Sequence, residues 1–161
     1  MRNTTLIYIR QNDNYLMLHR TKKKNDQSHD KWLGIGGKFE DKESPEDCIV
    51  RETKEETGLT LTHYKYRGIV TFVSDIWETE YMHLFTADDF TGELIDCDEG
   101  DLEWIPREQL LSLPAWEGDK IFLKLLFDET QPFFSLKFIY EGDTLVFASK
   151  DGVQLPLSSS H

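Results

Sequence analysis

Glu52, Glu55 and Glu56 fall within five consecutive positions of GGKFEDKESPEDCIVRETKEETGL, residues 36–59. Ser44, then Pro45 and Asp47 at the first and third helical positions, form a start signal of the capping-box kind, and Gly58 can take the left-handed conformation that ends a helix. The spacing therefore predicts a helix over 45–57, with the three glutamates at i, i+3 and i+4 on one face. Two unit charges about 5 Å apart repel by roughly 3 kcal/mol at an effective dielectric near 20, whereas an exposed pair such as Arg51 with Glu55 returns only about 0.3–0.5 kcal/mol. A divalent cation would relieve that repulsion. Oxygen ligands with no His or Cys beside them favour a hard ion, Mg²⁺ or Mn²⁺. The competing reading is a solvated acidic face, as charge runs usually are.

The elements that must position this helix read mainly as strands. TTLIYIR and YLMLHR around QNDN predict an N-terminal hairpin, and TKKKNDQSHDKW, with its Lys22-Lys23-Lys24 run, an exposed loop. HYKYRGIVTFV, WETEYMHLFTA and LEWI read as strands, the last ended by Pro106. PREQLLSL is a short helix and EGDKIFLKLLF a longer amphipathic one; FFSLKFIY and DTLVFA close the chain as a hairpin around Glu141 and Gly142. Strands in antiparallel hairpins with helices packed outside make an α+β or an α/β/α layered domain.

Composition narrows the partners. The chain has 161 residues, 39% of them apolar, enough for one sizeable core: a single domain over 1–155 and a polar, frayed tail over 156–161. Thirty acidic against 18 basic side chains leave a net charge of -12, which argues against nucleic-acid polymers and membrane surfaces. A phosphorylated small molecule remains open if a cation bridges it. The N-terminal stretch carries no apolar run long enough for a leader or a span, so a cytoplasmic protein is expected. Cys48 and Cys97 read as reduced, semi-buried residues, since neither sits in a metal-ligand or redox pattern.

The order Gly37, five residues, Glu43, seven residues, Arg51-Glu52, Glu55-Glu56, Gly58, Leu59 resembles the Nudix box, the signature of the Nudix hydrolases. Thr53 stands where that family usually has an aliphatic residue. The resemblance implies a Nudix-type α/β/α sandwich with a mixed sheet and a loop-helix-loop site. It further implies that Glu52, Glu55 and Glu56, with a backbone carbonyl of Gly36 or Gly37, hold Mg²⁺, and that Glu43 and Arg51 orient those ligands. A further ligand is expected before a strand tryptophan; Glu99 in EGDLEW fits, ahead of Asp98 and Asp101. Glu99 or Glu52 is expected to act as general base, with Glu55 in the catalytic set. Lys38 and Arg20 are the cations best placed for phosphates, with pairing to local acids the alternative for each, more so for Arg20.

Three features resemble the MutT-type branch acting on oxidised purine nucleotides: WLGIGGK, EGDLEW, and Trp116-Glu117-Gly118-Asp119. Trp116 could stack a purine or simply pack, and Asp119 could accept from guanine N–H groups. Leu33 stands where some relatives carry a base-reading Asn, and only one of two adjacent acids is present. The expected activity is pyrophosphohydrolysis of a purine nucleoside triphosphate such as 8-oxo-dGTP, by a monomer or homodimer. ADP-ribose and dinucleoside polyphosphates are alternative substrates, and a non-catalytic nucleotide sensor is the reading from another class.

Overall fold

The computed structural model describes residues 1–22 and 28–157; Lys23, Lys24 and the tail residues 158–161 of the regions considered above lie outside them. The N-terminal hairpin is present as β1 (Arg2–Gln11) and β2 (Asn14–Arg20). Asn12 takes a positive φ of 56° in the turn, a conformation Asn tolerates better than most residues. The strands pair only at Arg10 with Tyr15 and Gln11 with Asn14 before they diverge. Beyond that point β2 joins a small antiparallel sheet with β3 (Trp32–Leu33) on one edge and β7 (Gly100–Pro106) on the other.

β1 enters a larger mixed sheet. Its one edge takes β4 (Ile35–Lys38) antiparallel, Leu6 opposite Gly36 and Thr5 opposite Gly37. Its other edge takes β6 (Glu80–Thr91) in parallel, and β5 (Thr60–Ser74) follows antiparallel to β6. β8 (Phe134–Glu141) lies parallel to β5, and the C-terminal hairpin continues through β9 (Thr144–Lys150) to the short β10 (Val153–Gln154).

Among the described residues there are three helices: α1 (Pro45–Thr57), the single turn α2 (Arg107–Leu110), and α3 (Glu117–Phe127). β1 is buried from Thr4 to Ile9, so its alternating side chains feed two cores. Ile7 and Ile9 meet Ile49 of α1 and Phe85 in one cluster, while Leu6 and Tyr8 meet Phe122, Leu126 and Phe138 in the other. Each such large apolar side chain contributes about 1.5–3 kcal/mol on burial. The expected α/β/α sandwich with a mixed sheet is therefore the observed one. One correction applies: the β1–β6 and β5–β8 pairs are parallel rather than hairpin-like, and WLGIGGK itself forms β3 and β4. Among the described residues no helix is long and apolar enough to cross a membrane. Cys48 and Cys97 are both buried and free.

Candidate active site

The acidic helix begins and ends as its sequence dictates. Ser44 accepts from the Asp47 amide at 3.0 Å and Asp47 accepts from the Ser44 amide at 3.0 Å, while Gly58 closes the helix at φ 82°. Cys48, Ile49, Thr53 and Thr57 form the buried stripe. Thr53, the departure from the box pattern, is fully buried in that stripe and its backbone carbonyl accepts from the Thr57 hydroxyl at 2.6 Å. Glu52 and Glu56, one turn apart, flank the stripe and face β4.

The glycine pair of β4 sets how close they come. A Cβ at Gly36 would lie 1.8 Å from the Thr5 carbonyl oxygen, and one at Gly37 would lie 2.4 Å from the Glu52 carboxyl carbon. Glycine there lets β4 pair closely with β1 and lets a carboxylate rest on its backbone. The Gly36 amide points to Glu56 Oε2 at 3.4 Å. Glu99, in the turn before β7, is carried to the same place by the pairing of Gly100 with Arg20 across β2 and β7.

Glu52, Glu56 and Glu99 line one cavity of about 560 Å³. Burial, then the hydrogen bond and charge of Glu99, then the charge of Glu52, hold the Glu56 carboxyl well above the usual carboxylate range. Burial raises Glu52 as well, against the opposing pull of Arg51. Carboxyls that must borrow a proton to sit together are suited to a cation instead, and an all-oxygen set with the carbonyls of Gly36 and Gly37 at hand fits a hard one. Among the described residues no three His, Cys, Asp or Glu side chains already stand at coordination spacing, so binding would have to draw these carboxylates inward.

Arg51 is the organiser of this edge. Its Nε and Nη2 donate to the two Glu43 oxygens at 2.7 and 2.9 Å, and Nη1 donates to Glu52 at 2.8 Å and Glu55 at 3.1 Å. Nη2 also reaches the Lys38 carbonyl at 3.0 Å, tying helix to strand. Hydrogen bonding to Arg51 depresses Glu43 below the usual carboxylate range. Glu55 differs from the other two box glutamates: its side chain is 60% exposed and it lies outside the cavity lining. Lys38 and Arg20 both line the cavity, and Arg20 Nη1 stands 3.7 Å from Glu99.

The far end of the cavity is made by α3 and the sheet. Asp119, in the first turn of α3, is 5% exposed, and among the described residues its Oδ2 has no hydrogen-bond partner. Burial, then the charge of Glu80, push its carboxyl up to about 8 against the pull of Lys31. Trp116 lines the cavity but is also 5% exposed. Its Nε1 donates to Ser28 at 3.0 Å, Lys31 Nζ lies 4.5 Å over its ring, and Phe72 and Tyr140 meet it edge-on. Of the two roles open to Trp116, packing is the one this enclosure supports. Position 118, where a second acid would stand, is closed: a Cβ on Gly118 would lie 2.5 Å from the Phe138 ring. Leu33 is a half-buried wall of the same cavity.

Glu80, Met82, Phe72 and Trp77 also line it and were not singled out by sequence. Glu80 accepts from Arg2 at 2.8 Å and from Thr4 at 2.7 Å across the parallel β1–β6 edge. Alternation in WETEYMHLF shows that β6 has two faces but not which one meets the cavity.

The family model of the NUDIX domain matches residues 1–126. An oxidized purine nucleoside triphosphate hydrolase of Danio rerio is 31% identical over 122 residues, 74% of this chain and 76% of that protein. An uncharacterized Nudix hydrolase of Bacillus subtilis is 36% identical over 93 residues, 55% of this chain; the match spans 59% of that relative's length. Among solved structures, the MutT protein of Bacillus halodurans superposes with a TM-score of 0.83 at 28% identity, covering 94% of this chain and 98% of that one.

Proposed function

Because the chain belongs to the NUDIX family, we propose that it is a Mg²⁺-dependent nucleoside triphosphate pyrophosphohydrolase, with Mn²⁺ as a substitute. Its substrates would be oxidised purine deoxynucleotides such as 8-oxo-dGTP, cleaved to the monophosphate and pyrophosphate. The observation that carries the reading is one cavity lined both by a cluster of crowded carboxylates and by Asp119, a buried acid. The name of the zebrafish relative supports the substrate class.

Glu52, Glu56 and Glu99, with a carbonyl of Gly36 or Gly37, would hold the cation. When bound, such an ion neutralises phosphate oxygens and lowers the pKa of a water. Glu99 or Glu52 takes the proton as water adds to phosphorus and the bridging P–O bond breaks. Arg51 and Glu43 keep Glu52 in place, and Lys38 and Arg20 meet the phosphates. Asp119 with a proton can donate to a base oxygen through one carboxyl oxygen and accept from a base N–H with the other, a sharper reading than acceptance alone. A net charge of -12 supports free nucleotides rather than nucleic-acid polymers as partners.

The test is hydrolysis with and without Mg²⁺ over 8-oxo-dGTP, normal dNTPs, ADP-ribose and dinucleoside polyphosphates, with Glu56→Gln beside the wild type. Turnover of 8-oxo-dGTP that needs the cation and collapses in Glu56→Gln is expected. Equal inertness of both proteins across the panel would remove the enzyme reading, and turnover of ADP-ribose alone would remove the role of Asp119 in base reading.

A further inference from the structure

We propose that Trp77, at the tip of the β5–β6 connection, is the aromatic surface on which the purine base stacks, and so a specificity residue of the cavity. The inference rests on the nucleotide substrate proposed above. Two tryptophans line the cavity, Trp77 and Trp116, and they differ in what they can offer. Trp116 is enclosed by Lys31, Phe72 and Tyr140, anchored through Ser28 and only 5% exposed, so little of its ring is left for a base to meet. Trp77 is 41% exposed while still lining the cavity. An indole left half in water at the wall of a cavity that also holds Asp119 gains by being covered, and a flat base covers it.

The segment carrying Trp77 is held in place, which keeps the loss of freedom on stacking small. Ser74 Oγ accepts from the amides of Ile76 at 3.0 Å and Trp77 at 3.1 Å. Asp75 Oδ1 accepts from the Gly142 amide at 3.0 Å, fastening the tip to the β8–β9 turn. The Thr79 carbonyl accepts from the Arg2 amide at 3.0 Å, fastening its other side to β1. Asp119 then reads the base edge and Trp77 supports its face, from two segments that the chain separates by about forty residues.

Two measurements test this, one of them independent of turnover. Titration of 8-oxo-dGMP into the wild-type protein should quench tryptophan emission, Trp77→Phe should lose most of that quench, and Trp116→Phe should keep it. Inorganic pyrophosphate, which has no base, should quench neither protein. In steady-state hydrolysis of 8-oxo-dGTP, Trp77→Ala should raise KM roughly tenfold, the change that about 1.4 kcal/mol of lost stacking produces, with kcat altered less and Trp77→Phe recovering part of the loss. A quench that survives in Trp77→Phe, or no quench in the wild type, would overturn the role of Trp77, as would an unchanged KM in Trp77→Ala. A wild type that binds the monophosphate through Trp77 but hydrolyses nothing would instead overturn the proposed activity.

Discussion

Asp119 makes the fold sensitive to pH in a direction opposite to that of most carboxylates. Burial in α3 and then the charge of Glu80 push its carboxyl up to about 8, against about 3.9 in an unfolded chain. The folded state therefore keeps a proton that the unfolded state releases. Stability from this group is complete below the unfolded pKa, declines as pH rises, and is lost once pH passes the folded pKa. At pH 7 the separation from the unfolded value is about 3 units, which at 1.36 kcal/mol per unit sets a ceiling near 4 kcal/mol. Water entering the cavity screens part of this, so about 1–4 kcal/mol is expected. Asp119→Asn keeps the shape of the protonated carboxyl and removes the titration. Urea unfolding of both proteins from pH 4 to 8 should give similar stability near pH 4, with the Asn variant gaining steadily as pH rises and leading by that margin at pH 7. Other titrating groups are common to both proteins and cancel in the difference. Parallel stability curves would refute the assignment of a proton to Asp119 and with it the donor role proposed at the base.

Two further substitutions probe the loop-helix-loop. Arg51→Ala removes the hydrogen bonds to Glu43, Glu52 and the Lys38 carbonyl, and kcat/KM for the best substrate should fall about 10- to 100-fold, as is usual when a group orienting a ligand is lost. Gly58→Ala places a side chain at φ 82° with its Cβ 2.6 Å from the Glu93 carbonyl oxygen, so thermal unfolding should show a loss of about 1–3 kcal/mol.

The helix of the site was legible because its signals are local. Ser44, Pro45, Asp47 and Gly58 act on backbone groups within one turn of themselves, and the observed bounds are those the spacing predicts. The same periodicity could not separate Glu55 from Glu56. Adjacent residues differ by about 100° around a helix, and which of them turns inward depends on where β4 crosses. Strands were legible as strands, but the partners of β1 were not: β6 pairs with it from nearly eighty residues away, and no local pattern encodes a parallel register.

The residue types and spacing of the acidic box, with their resemblance to the Nudix box, pointed to a divalent cation and a phosphate substrate, because like charges at i, i+3 and i+4 repel unless a counter-charge or solvent relieves them. Tertiary structure decided the rest. It brought Glu99 against Glu56 across two sheets, turned Glu55 to solvent, enclosed Trp116 and left Trp77 open, and buried Asp119 deeply enough to raise its carboxyl well above the usual range. Each of these depends on the dielectric and packing that distant segments create, and those are properties of the folded cavity rather than of any stretch of chain.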